Sequence, residues 1–164
     1  MTKIGTMMYE IERKFLVDKH KWQPSGKGIK IIQGYLMADS RKNVRVRRKG
    51  DNAFLTVKGQ PDGIKRIELE YEIPVKEAEI MLKMVDGYKV KKTRYIEKRG
   101  HFTWEIDVFE GKNKGLVLAE VELENENDLP ELPEWITAEV SADEKYFNYY
   151  LSKIPFLHWH KNRG

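Results

Sequence analysis

The sequence predicts an α+β fold made mostly of antiparallel strands, about eight of them, with helices at the flanks. Three observations carry this expectation. Short segments that alternate apolar and polar residues recur along all 164 residues. Turn residues separate several of them at hairpin spacing. Only two stretches show helical periodicity with a start or stop signal.

The elements follow in order. "YEIERKFLV" (9–17) opens the chain as a strand, and 20–29, rich in Lys, Gly and Pro, is a loop or short helix. "KIIQGYLM" (30–37) is a second strand. "NVRVRRKG" (43–50), a turn over Gly50, Asp51 and Asn52, and "AFLTVKG" (53–59) make a hairpin. "KRIELEYEIP" (65–74) alternates until Pro74 stops it. In "VKEAEIMLKMVDG" (75–87) Ala78, Met81, Leu82 and Val85 share a helical face, and Gly87 suits the position just past the helix end. "YKVKKTRYIEKRG" and "HFTWEIDVFEG" form a second hairpin about Arg99-Gly100, and "GLVLAEVELENE" (115–126) is the last long strand. "NDLPELPEW" is a proline-broken loop. Ser141 and Glu144 stand at capping-box spacing, which predicts a helix over 141–155 ended by Pro155, with a short tail over 156–164. There is no repeat, linker or low-complexity segment, so the whole of 1–164 is expected to be one domain.

Composition narrows the function classes. The chain is 40% hydrophobic and 34% charged, with enough aromatics to build a core rather than stay disordered. Its net charge of +4 says little about partners, so the question becomes where each sign clusters. It has no cysteine, which excludes disulfides and thiolate metal sites. No apolar run approaches a membrane span, and "MTKIGTMM" lacks the apolar stretch of a signal peptide. A cytoplasmic protein is the expectation, with Met7 or Met8 as the natural start.

The charges pose the functional question. On a strand, alternate residues share a face, so Glu10, Glu12 and Lys14 point one way. The same phasing groups Arg45 with Arg47, Thr56 with Lys58, Glu68 with Glu70 and Glu72, Lys92 with Arg94, Glu105 with Asp107, and Glu120 with Glu122 and Glu124. The bland interpretation is a solvated face over an apolar core, which suits any single strand. As a set, however, the strands segregate into acidic and basic ones. A sheet of about eight strands can close into a barrel with these charges outside or inside. Inside, carboxylates would crowd and need a cation or retained protons, and the basic strands would need an anion. A metal–polyphosphate complex satisfies both, since Mg²⁺ and Mn²⁺ prefer oxygen ligands and Arg and Lys hold phosphate.

These residues carry a resemblance. "EIERK" looks like the Glu-x-Glu-x-Lys signature of the CYTH superfamily, the triphosphate tunnel metalloenzymes. "QGYL", "VRVRRKG", "FLTVKG", "YEIP", "KKTRY", "WEIDVFEG", "VLAEVEL" and "EVSADEKY" follow in the family's order over nearly the whole chain. The resemblance, closest to short bacterial tripolyphosphatase-like forms, implies an eight-stranded antiparallel barrel enclosing a tunnel, with helices outside. It implies that Glu10, Glu12, Glu120 and Glu122 bind Mg²⁺ or Mn²⁺, with Asp107 as a further metal-side carboxylate. It gives Lys14, Arg45, Arg47, Lys58, Arg94 and Lys145 to the phosphates, and Lys92 or Tyr35 to activation of water.

Lys145 also has an argument from the residues. A cation in the first turn of the helix at 141 opposes the dipole unless an anion binds nearby; a snorkelling surface lysine is the competing interpretation. Glu70 is the best candidate in its strand for a carboxylate that orients basic residues. Arg13 and Arg48 are out of phase and expected to face out. His158 and His160 lack a third ligand nearby and fit a tail better than a metal site.

The expected activity is metal-dependent hydrolysis of a triphosphate, inorganic tripolyphosphate first. The same tunnel could serve a class IV type adenylate cyclase, a thiamine triphosphatase or a non-catalytic polyphosphate-binding module. Expected partners are a small triphosphate and, by the habit of such proteins, a second copy of the chain; no membrane or nucleic acid is expected.

Overall fold

A computed structural model of the chain describes residues 8–162. A start at Met7 and the last two tail residues lie outside the described residues. The strands are β1 (Tyr9–Val17), β2 (Ile29–Ala38), β3 (Asn43–Lys49), β4 (Asn52–Lys58), β5 (Lys65–Ile73), β6 (Val90–Arg99), β7 (Phe102–Phe109), β8 (Val117–Glu122) and β9 (Ile136–Glu139). The helices are α1 (Val75–Met84) and α2 (Asn148–Lys153), with 3-10 turns at Gly111–Asn113, Glu144–Tyr146 and Phe156–Asn162.

Every pairing is antiparallel, in the order β5-β4-β3-β2-β6-β7-β8-β1. β1 returns to β5 through Tyr9↔Ile67, Glu10↔Arg66 and Ile11↔Lys65 and closes an eight-stranded barrel, as expected. β9 was not anticipated. It pairs with Phe15–Val17 at the far end of β1, within the stretch expected to follow a proline-broken loop. Closure leaves no free edge along most of the sheet, which removes the usual hazard of edge pairing.

The apolar phase of the strands faces outward and is covered. α1 lays Ala78 and Leu82 on Val46 and Ala53 of the β3–β4 hairpin. On the opposite side Trp104, Ile106, Ala119 and Val121 pack with Phe15, Trp22 and Trp135. Each buried Val, Leu, Ile or Phe among them contributes about 1.5–3 kcal/mol by leaving water. The charged phase faces the lumen. Further along the same phase stand Leu16, Val90, Phe109 and Leu118, which pack with Val140 and Leu151.

Two local expectations are corrected. Gly87 is not the residue just past α1, because the helix ends at Val85 in an extended conformation. Its role is different: Gly87 has φ +76°, and a Cβ there would lie 2.6 Å from the Ser152 carbonyl oxygen. That close approach lets Tyr88 N–H donate to the same carbonyl at 2.7 Å, tying the end of α1 to α2. Gly87→Ala therefore combines left-handed strain with a backbone clash, and should lower stability by about 2 kcal/mol, read as a shift in the urea midpoint at constant slope.

The second correction concerns the C-terminus. Ser141 does not cap a helix. Its hydroxyl accepts from Lys14 N–H at 2.9 Å and donates to Glu139 Oε2 at 2.7 Å. Asp143 instead caps the short 3-10 turn by accepting from Lys145 N–H at 3.1 Å, and α2 begins only at Asn148. The segment 156–162 is wound into a 3-10 turn rather than loose, with His158 edge-on to Tyr88 at 5.8 Å. No helix among the described residues is long and apolar enough to cross a membrane.

Candidate active site

Closing the sheet gathers the charged phase into one cavity of about 130 Å³. Glu10, Glu12 and Lys14 line it from β1, Tyr35 from β2, Arg45 and Arg47 from β3, and Lys58 from β4. Glu70 lines it from β5, Lys92 and Arg94 from β6, and Glu120 and Glu122 from β8. The strand order explains the two walls. Going round the barrel, β8, β1 and β5 are neighbours and carry most of the carboxylates, while β4, β3 and β6 carry most of the cations.

On the acidic wall Glu12 stands across from Glu122, and Lys14 across from Glu120. Lys14 Nζ reaches Glu120 Oε1 at 3.2 Å, and Lys58 Nζ reaches Glu10 Oε2 at 2.9 Å and Glu68 Oε2 at 3.4 Å. Burial opposes ionisation of Glu10 and Glu120, but Lys58 beside the one and Lys14 beside the other hold both well below the usual carboxylate range. The lysines answer in kind: despite burial, both are raised above their ordinary value by these carboxylates. Glu12 goes the other way. Burial, then the charges of Glu10 and Glu120 on either side, push its carboxyl well above the usual range. Carboxylates this close favour either a shared proton or a cation among them. As the side chains stand, no group of three carboxylates or histidines among the described residues is arranged to hold an ion; Lys14 and Lys58 occupy the oxygens.

The basic wall is anchored by one carboxylate. Glu70 Oε2 accepts from Thr56 Oγ1 at 3.2 Å and lies 3.4 Å from Arg47 Nη2 and 3.8 Å from Arg45 Nη2, the orienting position expected of Glu70. The Nε groups of both arginines are buried with no hydrogen-bond partner. A buried guanidinium N–H without an acceptor is costly. Burial, with Arg45 and Arg94 close by, lowers Arg47 to about 10.

Lys92 sits where the walls meet. Its Nζ donates to Asp107 Oδ2 at 2.8 Å and to Asn148 Oδ1 at 3.1 Å. Burial, and then Arg94, outweigh Asp107 and lower it to about 8. Asp107 departs from its expected place. It does not line the cavity but stands behind Lys92 and Arg94, with Arg94 Nε on Oδ1 at 2.8 Å and Nη2 on Oδ2 at 2.9 Å. Both oxygens are engaged, so Asp107 orients two cations instead of facing a metal. Arg94 is likewise held by Asp107 and Glu105. Lys145 is exposed, outside the cavity lining, because the long helix that would have aimed it inward does not form. Arg13 and Arg48 face out, as expected, onto Glu139 and Glu79.

Two lumen-side residues escaped the sequence, and two more were seen only as members of a charged face. Glu68 and Glu105 share the charged phase but had no feature to set them apart. Asn148 and Gln33 are neutral amides, which leave no mark in a charge pattern.

The fold and its lumen define a class: closed antiparallel barrels with a buried site whose acidic wall faces a basic one. Within that class the chain belongs to the CYTH domain family, whose sequence profile matches residues 8–155. It is similar to the inorganic triphosphatase of Acetivibrio thermocellus, at 46% identity over 90% of this chain and 95% of that one. It is also similar to the inorganic triphosphatase of Nitrosomonas europaea, at 36% identity over 90% of this chain and all of that one. A crystal structure of an inorganic triphosphatase superposes with a TM-score of 0.62 at 36% identity, covering 90% of this chain and 97% of that one.

Proposed function

We propose that this protein hydrolyses inorganic tripolyphosphate to pyrophosphate and phosphate with the help of a divalent cation. The observation that carries the proposal is the meeting, in one cavity, of the crowded carboxylates Glu10, Glu12, Glu120 and Glu122 with two arginines, Arg45 and Arg47, whose buried Nε groups have no acceptor. A cation relieves the first and phosphate oxygens satisfy the second.

The residues fit an oxygen-seeking ion such as Mg²⁺ or Mn²⁺, which Glu10, Glu12, Glu120 and Glu122 would hold. When bound, such an ion neutralises phosphate oxygens. Lys14 and Lys58, now paired to Glu120 and Glu10, turn to the phosphates once those carboxylates take another cation. Arg45 and Arg47 hold the chain of phosphates and stabilise charge on the group in transfer. Arg94 is committed to Asp107 and Glu105 and acts on the substrate through field more than contact. Lys92 is the water-side residue, since an amine lowered to about 8 can accept a proton near neutral pH; Tyr35, on the same cavity, is the competing candidate. Cytoplasmic location and a homodimer form part of this reading.

The test is a substrate panel with Mg²⁺ or Mn²⁺: tripolyphosphate, ATP, thiamine triphosphate and pyrophosphate. Phosphate release is expected from tripolyphosphate far above the others. Cyclic AMP formed from ATP, or tight tripolyphosphate binding without turnover, would defeat the proposal.

A further inference from the structure

Three side chains from three elements meet beside the lumen: Lys92 of β6, Gln33 of β2 and Asn148 at the start of α2. Asn148 Oδ1 accepts from Lys92 Nζ at 3.1 Å and from Gln33 Nε2 at 3.0 Å. Gln33 is wholly buried and Lys92 is 2% exposed.

A lysine amino group ordinarily spins about its last carbon–nitrogen bond. Here it does not have that freedom. The nitrogen is tetrahedral, with one direction taken by Cε. Asp107 and Asn148 supply two fixed acceptors. The fourth direction, whether it carries a proton or the electron pair, is thereby set, and Lys92 lines the cavity. Asn148 is fixed in turn. Lys92, as an ammonium, can only donate, so the Asn148 amide oxygen faces it, and Gln33 Nε2 donates to the same oxygen.

We propose that Asn148 is a positioning residue for the reaction: with Asp107 it fixes the rotation of the Lys92 amino group, and Gln33 locks the Asn148 amide that does so. This rests on the reading of Lys92 as the water-side residue. It makes the C-terminal segment part of the site, since α2 supplies the acceptor.

The test uses the full chain and two readouts. The first is proton exchange of the Lys92 amino group, followed by ¹⁵N NMR in metal-free protein and identified by the signal missing from Lys92→Arg. Asn148→Ala should speed exchange about tenfold, the value of one charge-assisted hydrogen bond removed, whereas Asn148→Asp, which keeps an acceptor in place, should restore slow exchange.

The second readout is tripolyphosphate kinetics with Mg²⁺. Asn148→Ala should lower kcat about 10–100-fold with KM within about twofold, the pattern of a misplaced reacting group rather than of weakened substrate binding. Gln33→Leu should lower kcat alone but add nothing in the Asn148→Ala background. It leaves Asn148 in place, so it serves if Asn148→Ala does not fold. Unchanged exchange, a rise in KM alone, or additive losses would overturn the proposal. Exchange that responds as expected in a protein that hydrolyses no triphosphate would support the Asn148 hydrogen bond and count against the proposed function.

Discussion

Replacing Glu12 with glutamine should lower tripolyphosphate turnover by roughly 10²–10³-fold, the usual scale for losing one preorganised electrostatic group, yet leave the metal-free protein as stable as the wild type. The two halves come from the same geometry. Glu12 stands between Glu10 and Glu120, and desolvation with their two charges favours its neutral form. A neutral amide is nearly its equal in shape and charge while no cation is present. Glutamine cannot give up a proton, however, so the site loses one ligand charge when an ion must bind. Glu10→Gln makes the contrast, because it removes the negative charge 2.9 Å from Lys58 and leaves that buried ammonium only Glu68 as a charged partner, and it should destabilise the metal-free protein as well. The checks are urea unfolding without metal, calorimetric titration with Mg²⁺, and steady-state rates. If Glu12→Gln leaves both Mg²⁺ affinity and turnover intact, the acidic wall is structural only.

Much of the barrel was legible because period-two alternation fixes which side chains share a face. Arg94 opposite Asp107 was also within reach. The tight turn at Gly100 pairs Arg99 with Phe102, and counting back along both strands brings Arg94 to Asp107. That count would have shown Asp107 committed to a guanidinium before any metal. β9 was not legible, because Ile136–Glu139 is four residues long and follows prolines. Its partner is the C-terminal half of β1, far away in sequence. The C-terminal helix misled for a physical reason. Ser141 had the spacing of a cap, but its hydroxyl is used by Lys14 and Glu139, and the chain stays extended at Phe147. Lys145 lost its place in the site with that helix. Asn148 and Gln33 act through one hydrogen-bonded cluster drawn from distant segments, and no local pattern announces such a cluster.

Lys92→Arg should lower kcat about 10²–10⁴-fold, the range for removal of a general base, and also remove the ascending limb of the pH–rate profile. The sign follows from the lowered value of about 8. Below it Lys92 is an ammonium and cannot accept a proton from water; above it the amine can. Wild-type kcat should therefore climb with pH and level off above about 8. Arginine stays protonated throughout this range, so the limb disappears with the rate. KM should change little, because Lys92 is held by Asp107 and Asn148. Arg45→Ala should instead raise KM as well as lower kcat, since it removes a guanidinium with an N–H still waiting for an acceptor. A Lys92→Arg enzyme that keeps both its rate and its ascending limb would shift the role to Tyr35, and Tyr35→Phe would then be the variant that loses turnover.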